Sequence, residues 1–92
     1  MKMLEVKITS KFKKDYKLIK KRKLNINLLK QVVFKIANEI PLEEKHKDHE
    51  LTGKYKGFRE CHIQPDWLLI YLIEDQTLTL TLTRTGSHAD LF

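Results

Sequence analysis

Residues 58–83 read FRECHIQPDWLLIYLIEDQTLTLTLT, and this stretch contains three strand-like segments. Phe58 to Gln64 alternates between apolar and polar residues, as a strand with one buried face does. Trp67 to Ile73 is nearly all apolar, which suits a central strand. Thr77 to Thr83 alternates strictly, so Leu78, Leu80 and Leu82 should share one face. Pro65-Asp66 and Glu74-Asp75-Gln76 have the composition of tight turns, and an antiparallel meander is therefore predicted.

The residues before the meander predict one strand and two helices. Residues 4–8, LEVKI, alternate as a half-buried strand. A helix capped by Thr9 or Ser10 follows, with a narrow apolar stripe of Phe12, Tyr16 and Ile19. A second helix starts at Asn25 or Asn27 and ends at Pro41, and it has a wider apolar stripe made of Leu29, Val32, Val33, Ile36, Ala37 and Ile40.

This order of elements predicts an α+β fold, β-α-α-β-β-β. The two N-terminal helices should pack on one face of a mainly antiparallel sheet, and the other face should stay open to solvent or a ligand. Residues 41–57 show no clean period. A polar connection of that length in a compact domain is usually functional or mobile.

Length and composition set limits on the class of protein. The 92 residues, 41% hydrophobic and 33% charged, fit one globular domain over residues 1–92. The single cysteine excludes an internal disulfide framework and a multi-cysteine zinc site. No apolar run is long enough to span a membrane, and the N-terminus lacks the apolar core of a signal peptide. A soluble cytoplasmic domain is expected.

The positive charge is concentrated in the first half of the chain. Residues 1–40 carry twelve Lys/Arg and three Asp/Glu, whereas residues 41–92 carry six and nine. Most of the excess lies in residues 11–23, KFKKDYKLIKKRK. Such a run favours an anionic partner such as nucleic acid or an acidic protein segment, although a merely solvated helix face is an equal alternative. Deep membrane insertion is disfavoured because apolar residues are few here.

Alternation in the meander selects three polar residues. If Cys61 and Ile63 face the helices, Glu60 and His62 point together to the open face. Arg84 has the parity of the inward leucines, and a buried unpaired arginine is too costly. Either the strand has ended before Arg84 or a bulge redirects it. The alternative to a functional role is a surface salt bridge among Glu60, His62 and Arg84.

A zinc site is disfavoured by the same alternation. His46 and His49 are three residues apart, but the adjacent Cys61 and His62 point to opposite faces of a strand. Cys61 is expected in the core and His46 in a solvated loop. Trp67 and Tyr71 are also expected in the core.

Three motifs in the second half of the chain identify a family. They are KDHELTG from Lys47, GFRECHIQPDWLLIY from Gly57, and RTGSHADLF from Arg84. They match the fragments D-H-x-L-x-G, G-[FY]-R-x-x-H-x-x-P-D-W-x-L-I-Y and R-T-G-[ST]-H-x-x-L-F, in order and at family spacing. The chain thus resembles the YafQ branch of the RelE/ParE superfamily of bacterial toxins. The first half matches only in length, helical character and basic charge.

The resemblance implies a fold, an activity and a partner. The fold is RelE-like. The activity is that of a type II toxin: a metal-independent mRNA endonuclease, without cofactors, that works on translating ribosomes and stops growth. The partner is a cognate antitoxin, and the complex of the two would contact operator DNA.

The resemblance also implies site residues. His49, His62, Asp66 and His88 form the catalytic or near-catalytic set, with the base and the acid unassigned. Arg84 would bind the scissile phosphate, and Phe92 would stack on a base or position His88. Glu60, where the family often has Asp, would act as a base or an orienter.

Six basic residues are candidates for RNA contact: Lys13, Lys17, Lys20, Lys47, Lys54 and Arg59. Two other functions stay open. One is a ParE-like toxin that acts on a protein target, which is not expected to carry the His49, His62 and His88 set. The other is a weakly active toxin that serves mainly as an operator-binding co-repressor with its antitoxin.

Overall fold

The structure is a computed structural model and describes residues 3–92. A five-stranded sheet carries two long helices on one face. The elements are β1 (Glu5–Ile8), α1 (Ser10–Lys21), α2 (Ile26–Ala37), β2 (His49–Glu50), β3 (Arg59–Gln64), β4 (Trp67–Glu74), β5 (Thr79–Gly86) and α3 (His88–Leu91). The strand order is β1-β5-β4-β3-β2; β1 runs parallel to β5, and the other pairs are antiparallel. The predicted α+β order is confirmed, with the short β2 and α3 added.

Local signals define the two long helices. Thr9 caps α1 by accepting a hydrogen bond from the Phe12 backbone N–H at 3.0 Å, and Asn25 caps α2 in the same manner. The prediction that Pro41 ends α2 is wrong, because the helix ends at Ala37. Glu39 adopts a left-handed φ of 58°, and the Ile40 N–H donates back to the Lys35 carbonyl at 2.8 Å. This is a Schellman cap, which closes the helix before the proline is reached.

The main core lies between the helices and the sheet. Phe12 and Ile19 from α1, with Leu29, Val32 and Ile36 from α2, pack on inward side chains of the strands, among them Cys61, Ile63, Leu69, Tyr71, Leu80 and Leu82. Cys61 and Trp67 are fully or almost fully buried, as expected. Burial raises the pKa of the Cys61 thiol far above its ordinary value, so this cysteine stays a neutral core residue.

The opposite face of the sheet is only partly open. Leu68 and Ile70 point to this side and are completely buried, because Leu91 of α3 covers them together with Leu51, Tyr55 and Phe58. Residues 41–57, predicted as an aperiodic polar connection, hold two short 3-10 turns and β2, and Leu51 and Tyr55 of this segment cover the second cluster. The polar surface of that face is confined to the margin of the apolar patch.

The start of β5 also differs from the prediction. The strand begins at Thr79, two residues later than the alternation suggested. Leu78 has a left-handed φ of 51° and is 38% exposed, since it follows a 3-10 turn at Asp75–Thr77. Leu80 and Leu82 face the core as predicted.

Arg84 is turned outward by a β-bulge. Ile70 pairs with Arg84 while the next residue, Tyr71, pairs with Leu82, so Thr83 is the extra residue of β5. The Thr9 hydroxyl donates to the Thr83 carbonyl at 2.7 Å and supplies a partner for the disrupted ladder. Of the two explanations offered by the alternation, the bulge is confirmed and an early strand end is excluded.

Thr85 joins β4 to β5 through a buried polar bridge. Its hydroxyl accepts a hydrogen bond from Trp67 Nε1 at 2.9 Å and donates to the Leu68 carbonyl at 2.7 Å. Replacing Thr85 by Val leaves both groups buried without their partner. We expect Thr85→Val to lower the free energy of unfolding by about 1–3 kcal/mol, measured by urea denaturation.

Thr81→Val is the matched control, because Thr81 is a half-buried residue of the same strand. The free energy of unfolding should then change by less than about 0.5 kcal/mol. Equal stability of the two variants would contradict the bridge.

Candidate active site

The sheet register places four residues in one row on the face away from the helices. His49 pairs with Glu60, Glu60 with Ile70, and Ile70 with Arg84. Directly paired residues of antiparallel strands point to the same side. In the next row, His62 pairs with Leu68 and Leu68 with Gly86. The predicted polar residues His49, Glu60, His62 and Arg84 therefore come from three strands, β2, β3 and β5, to one surface.

Glu60 lies at the centre of a carboxylate–histidine group. Although Glu60 is only 6% exposed, its Oε1 is 3.6 Å from Nε2 of His49 and 3.6 Å from Nε2 of His62. A carboxylate buried to this extent attracts positive charge more strongly than one in water. Glu60 thus places one negative charge beside Nε2 of both imidazoles.

Oxygen atoms next to Nδ1 fix the orientation of the two imidazoles. His49 Nδ1 is 2.6 Å from the Lys47 carbonyl, and His62 Nδ1 is 3.3 Å from the Pro65 carbonyl. A carbonyl oxygen only accepts, so Nδ1 must carry the hydrogen in both rings. Nε2 of each ring is left to exchange a proton. Lys47 takes a left-handed φ of 46°, which turns its carbonyl toward His49.

His88 and Asp66 form a second pair beside the first. Asp66, in the turn between β3 and β4, accepts from the backbone N–H of His88 at 2.9 Å and contacts its Nδ1 at 2.7 Å. These two contacts lower the pKa of Asp66, the backbone hydrogen bond more than the ring. The rings of His62 and His88 meet edge to face, with centroids 5.7 Å apart. Asp66 therefore holds His88 against the Glu60 group.

The short helix α3 places His88 at this position. Ser87 and Asp90 form a reciprocal capping box, which is a strong local signal for a helix start. Asp90 also binds Arg22 at the end of α1 through two contacts of 2.6 and 3.1 Å. Arg22 is the main cause of the pKa of Asp90 lying far below its ordinary value. Gly86 lets α3 approach, since a Cβ there would lie 2.9 Å from Asp90 Oδ2.

Arg84 is held by α1 and makes no hydrogen bond or ion pair with the histidines within the described residues. Its Nε and Nη2 donate to the Asp15 carboxylate at 2.6 and 3.1 Å. This hydrogen bond is the largest cause of a raised Arg84 pKa, to which Tyr55 also contributes. Arg84 lies two strands from Glu60, which corresponds to roughly 10 Å at the usual strand spacing.

Phe92 is 64% exposed and packs edge to face on Tyr55, with ring centroids 5.9 Å apart. Its backbone N–H donates to the His88 carbonyl at 2.9 Å. Phe92 thus joins the site margin through Tyr55 and through the backbone of α3. Sequence reasoning missed Tyr55, for which the only signal was an aromatic residue in an otherwise polar segment.

The predicted RNA-contact residues lie in three places. Lys13, Lys17 and Lys20 are exposed on one side of α1, and Lys47 and Lys54 are exposed in the segment around β2. Arg59 lies on the helix-facing side of β3, opposite to Glu60 and His62. Its guanidinium is 3.4 Å from Asp48 and 3.8 Å from Glu50. Arg59 therefore lies on the face opposite to the candidate site, and Asp48 and Glu50 offset its charge.

His46 is not a solvated loop residue, so that prediction is wrong. It is 8% exposed in a 3-10 turn packed on β3, and its Nδ1 lies 2.7 Å from the His62 carbonyl. It holds the backbone of β3 in place behind the site. Sequence reasoning also missed Asp15, whose signal was its position as the sole acidic residue in a basic run.

Residues 3–92 contain no group of three or more His, Cys, Asp or Glu side chains arranged to hold a metal ion. No helix in this part of the chain is long and apolar enough to cross a membrane.

Residues 4–92 match the model of a family described as the bacterial toxin of a type II toxin–antitoxin system, YafQ. The chain belongs to the YafQ family. It is 42% identical over 89 residues to the mRNA interferase toxin YafQ of Escherichia coli K12, covering 96% of this chain and 95% of that protein.

Two solved structures show the same fold. A metal-bound toxin from Helicobacter pylori has a TM-score of 0.93 and 49% identity, covering 98% of this chain and all of that one. YafQ in the E. coli DinJ–YafQ toxin–antitoxin complex has a TM-score of 0.88 and 40% identity, covering 98% of each chain. The predicted α+β architecture is confirmed, and it is the architecture of the YafQ structure.

The contact between Asp66 and His88 predicts a measurable titration. The wild-type Asp66 pKa, followed by NMR of the side-chain carboxyl, should lie below the ordinary value because His88 donates to the ionised form. The free energy from this contact is therefore present above the ordinary Asp pKa and lost as the pH falls through the lowered one. In His88→Ala the backbone donor remains and the ring is gone, so the pKa should rise part of the way back. The same pKa in both proteins would show that the ring does not contact Asp66 in solution.

Proposed function

We propose that this YafQ-family toxin is an mRNA endoribonuclease whose active site is the cluster of His49, Glu60, His62, Asp66 and His88, with Arg84 at its margin. The observation that carries the proposal is the pairing of buried or fixed carboxylates with three histidines that all present Nε2. The E. coli relative named an mRNA interferase is similar over nearly the whole chain.

Cleavage of RNA by its own 2′-hydroxyl requires three things. A base removes the proton of the 2′-hydroxyl, an acid protonates the leaving 5′-oxygen, and a cation stabilises the charge that develops on the phosphate. Imidazole suits both proton transfers because its ordinary pKa of about 6.5 lies near neutral pH. The chain supplies two separate imidazole groups for these two transfers.

The two groups differ in their carboxylate partners. His49 and His62 share the buried carboxylate of Glu60, which lies beside Nε2 of both rings. His88 has a single carboxylate partner, Asp66, which orients the ring and stabilises the imidazolium formed when Nε2 takes up a proton. One group acts as the acid and the other as the base. Arg84 contributes the fixed positive charge.

Two further features extend the proposal to partners. The lysine-rich side of α1 would bind ribosomal RNA next to the translated message, by the salt-sensitive attraction of cations for phosphates. A cognate antitoxin would neutralise the toxin, as suggested by the similar YafQ chain bound to DinJ. Contact with operator DNA would come through that complex.

Cleavage should depend on His88. After induction in cells, primer extension on a translated reporter mRNA should show new 5′ ends for the wild type and a loss of about 10²-fold or more for His88→Ala. The ends should carry a 5′-hydroxyl opposite a 2′,3′-cyclic phosphate, because the 2′-hydroxyl is the nucleophile. Removing the start codon should abolish cleavage if ribosomes are required.

Lys35→Gln serves as a control, since Lys35 lies on α2 away from the cluster. Growth arrest without new ends would favour a protein target. The absence of both growth arrest and cleavage would favour the co-repressor function.

An RNA with sulfur in place of the bridging 5′-oxygen then shows which imidazole group is the acid and which is the base, because a thiolate leaves without protonation. Only the variant that lacks the acid should recover on this substrate.

The basic side of α1 should govern ribosome binding rather than chemistry. Changing Lys13, Lys17 and Lys20 to Gln should weaken sedimentation with ribosomes and flatten its dependence on salt, because fewer phosphate contacts release fewer counterions. Lys7, Lys30 and Lys35 provide a triple Gln variant with the same change in net charge on β1 and α2. Equal loss in the two triples, or unchanged binding across the salt series, would reject a specific role for α1.

A further inference from the structure

We propose that Asp15 of α1 is a positioning residue that fixes the guanidinium of Arg84 for the scissile phosphate. The inference deepens the proposed nuclease function and rests on it. Neither the motifs nor the charge pattern assigned a role to Asp15. The Asp15 carboxylate points to Arg84 and binds the Nε and Nη2 side of its guanidinium.

Asp15 is the sole acidic residue of a helix with six lysines, SKFKKDYKLIKK. Lys11 and Lys14 are near it in sequence, yet its ion-pair partner within residues 3–92 is Arg84, 69 residues away. The Asp15 side chain is 12% exposed and that of Arg84 is 21% exposed. A carboxylate meant only to reduce the charge of the helix would lie in solvent among the lysines.

The shape of the contact is that of a fixed fork. Asp15 Oδ2 accepts from Arg84 Nε at 2.6 Å, and Oδ1 accepts from Nη2 at 3.1 Å. Oδ2 also accepts from the Thr85 backbone N–H at 3.2 Å. Two parallel bonds to one planar group restrict its rotation as well as its position. The contact with Thr85 ties the carboxylate to the strand that carries the arginine.

The sheet topology creates the need for this contact. β1 ends at Ile8, so on that side β5 has no strand partner beyond Leu82, although β4 still pairs with it on the other side. The bulge at Thr83 then turns Arg84 to the site face and leaves its long side chain at the edge of the sheet. A free arginine side chain loses much rotamer entropy when a ligand orders it. Asp15 of α1 holds the Arg84 side chain in one orientation before any ligand binds.

The edge of the guanidinium that Asp15 leaves uncovered, on the side where Tyr55 also acts on Arg84, is the one that would meet a phosphate. Asp15 occupies Nε and Nη2, and Nη1 remains on the far side of the fork. A guanidinium held in this way can receive a phosphate oxygen without reorganising, which is the condition for stabilising developing charge. An ion pair that is partly buried is a weak device for stability alone. The geometry therefore favours a role in orienting Arg84.

The test compares Asp15→Asn, Arg84→Gln and the double variant in single-turnover and steady-state RNA cleavage. We expect Asp15→Asn to lower kcat about tenfold or more and to change KM little, because positioning acts in the transition state. The double variant should be no slower than Arg84→Gln alone, since Asp15 acts through Arg84. Asp15→Glu, which keeps the charge but displaces it, should fall between Asp15→Asn and the wild type.

Glu5→Gln is the control for net charge, because it removes one carboxylate from an exposed position of β1. The thermal unfolding of every variant is measured first, and cleavage is assayed well below the lowest unfolding temperature. Effects of Asp15→Asn and Arg84→Gln that multiply, or an unchanged kcat in Asp15→Asn, would overturn the proposal. Faster cleavage or tighter RNA binding in Asp15→Asn would also overturn it and would mean that Asp15 competes with the phosphate.

Two results separate this proposal from the function beneath it. If Arg84→Gln retains full activity while His88→Ala is inactive, the nuclease stands and the role of Asp15 falls. If His88→Ala retains full activity, the proposed active site itself is wrong. Loss of activity in both Arg84→Gln and His88→Ala, with the double-variant behaviour above, supports both.

Discussion

The bulge at Thr83 is the constraint on which the arrangement of β5 depends. Before it, Leu80 and Leu82 face the dry core; after it, Arg84 faces the site. A regular strand would place Arg84 in the core, where an unpaired guanidinium is strongly unfavourable. Because of this one extra residue, β5 packs leucines into the core before the bulge and presents Arg84 on the opposite face after it. The Thr9 hydroxyl, which accepts from Phe12 and donates to the Thr83 carbonyl, couples the start of α1 to this bulge.

The second, smaller apolar cluster positions α3 beside the candidate site. Leu91 of α3 packs on Leu68 and Ile70, which brings His88 at the other end of that helix beside His62. A helix of four residues has little stability of its own, so its position depends on packing, on its capping box and on Arg22. The residues that cover this face are therefore the ones that fix the distance between the two imidazole groups.

Much of this fold and part of the site could be predicted from the sequence. Alternation gave the strands and the shared face of Glu60 and His62, and the motifs added His49, Asp66 and His88. Alternation could not choose between a bulge and a strand end at Arg84, because both remove the same conflict. The burial of His46 also escaped, since a single polar residue in an aperiodic segment carries no signal of what it packs against.

The partner of Asp15 was out of reach for a similar reason. Its contact with Arg84 spans 69 residues. The contact depends on the bulge in β5 and on the end of β1 at Ile8, because the residues of β5 after Leu82 no longer pair with β1. Local patterns describe which residues share a face of one element, whereas a contact between the side of a helix and the end of a distant strand follows from the packing of the whole sheet. Arg59 shows the same limit, because its parity with Cys61 placed it on the helix side while its charge suggested RNA.

Charge and chemistry are separated in this molecule. Each carboxylate at the site has a basic partner: Glu60 has His49 and His62, Asp66 has His88, and Asp15 has Arg84. Such pairs orient the rings, but under the proposed function they add little net positive charge to attract RNA. The lysines of α1 carry that charge on a neighbouring surface, where it acts over about a Debye length of 8–10 Å at physiological salt. Attraction of the anionic partner can therefore be strong without unpaired cations in the site, and the imidazoles remain free to exchange protons.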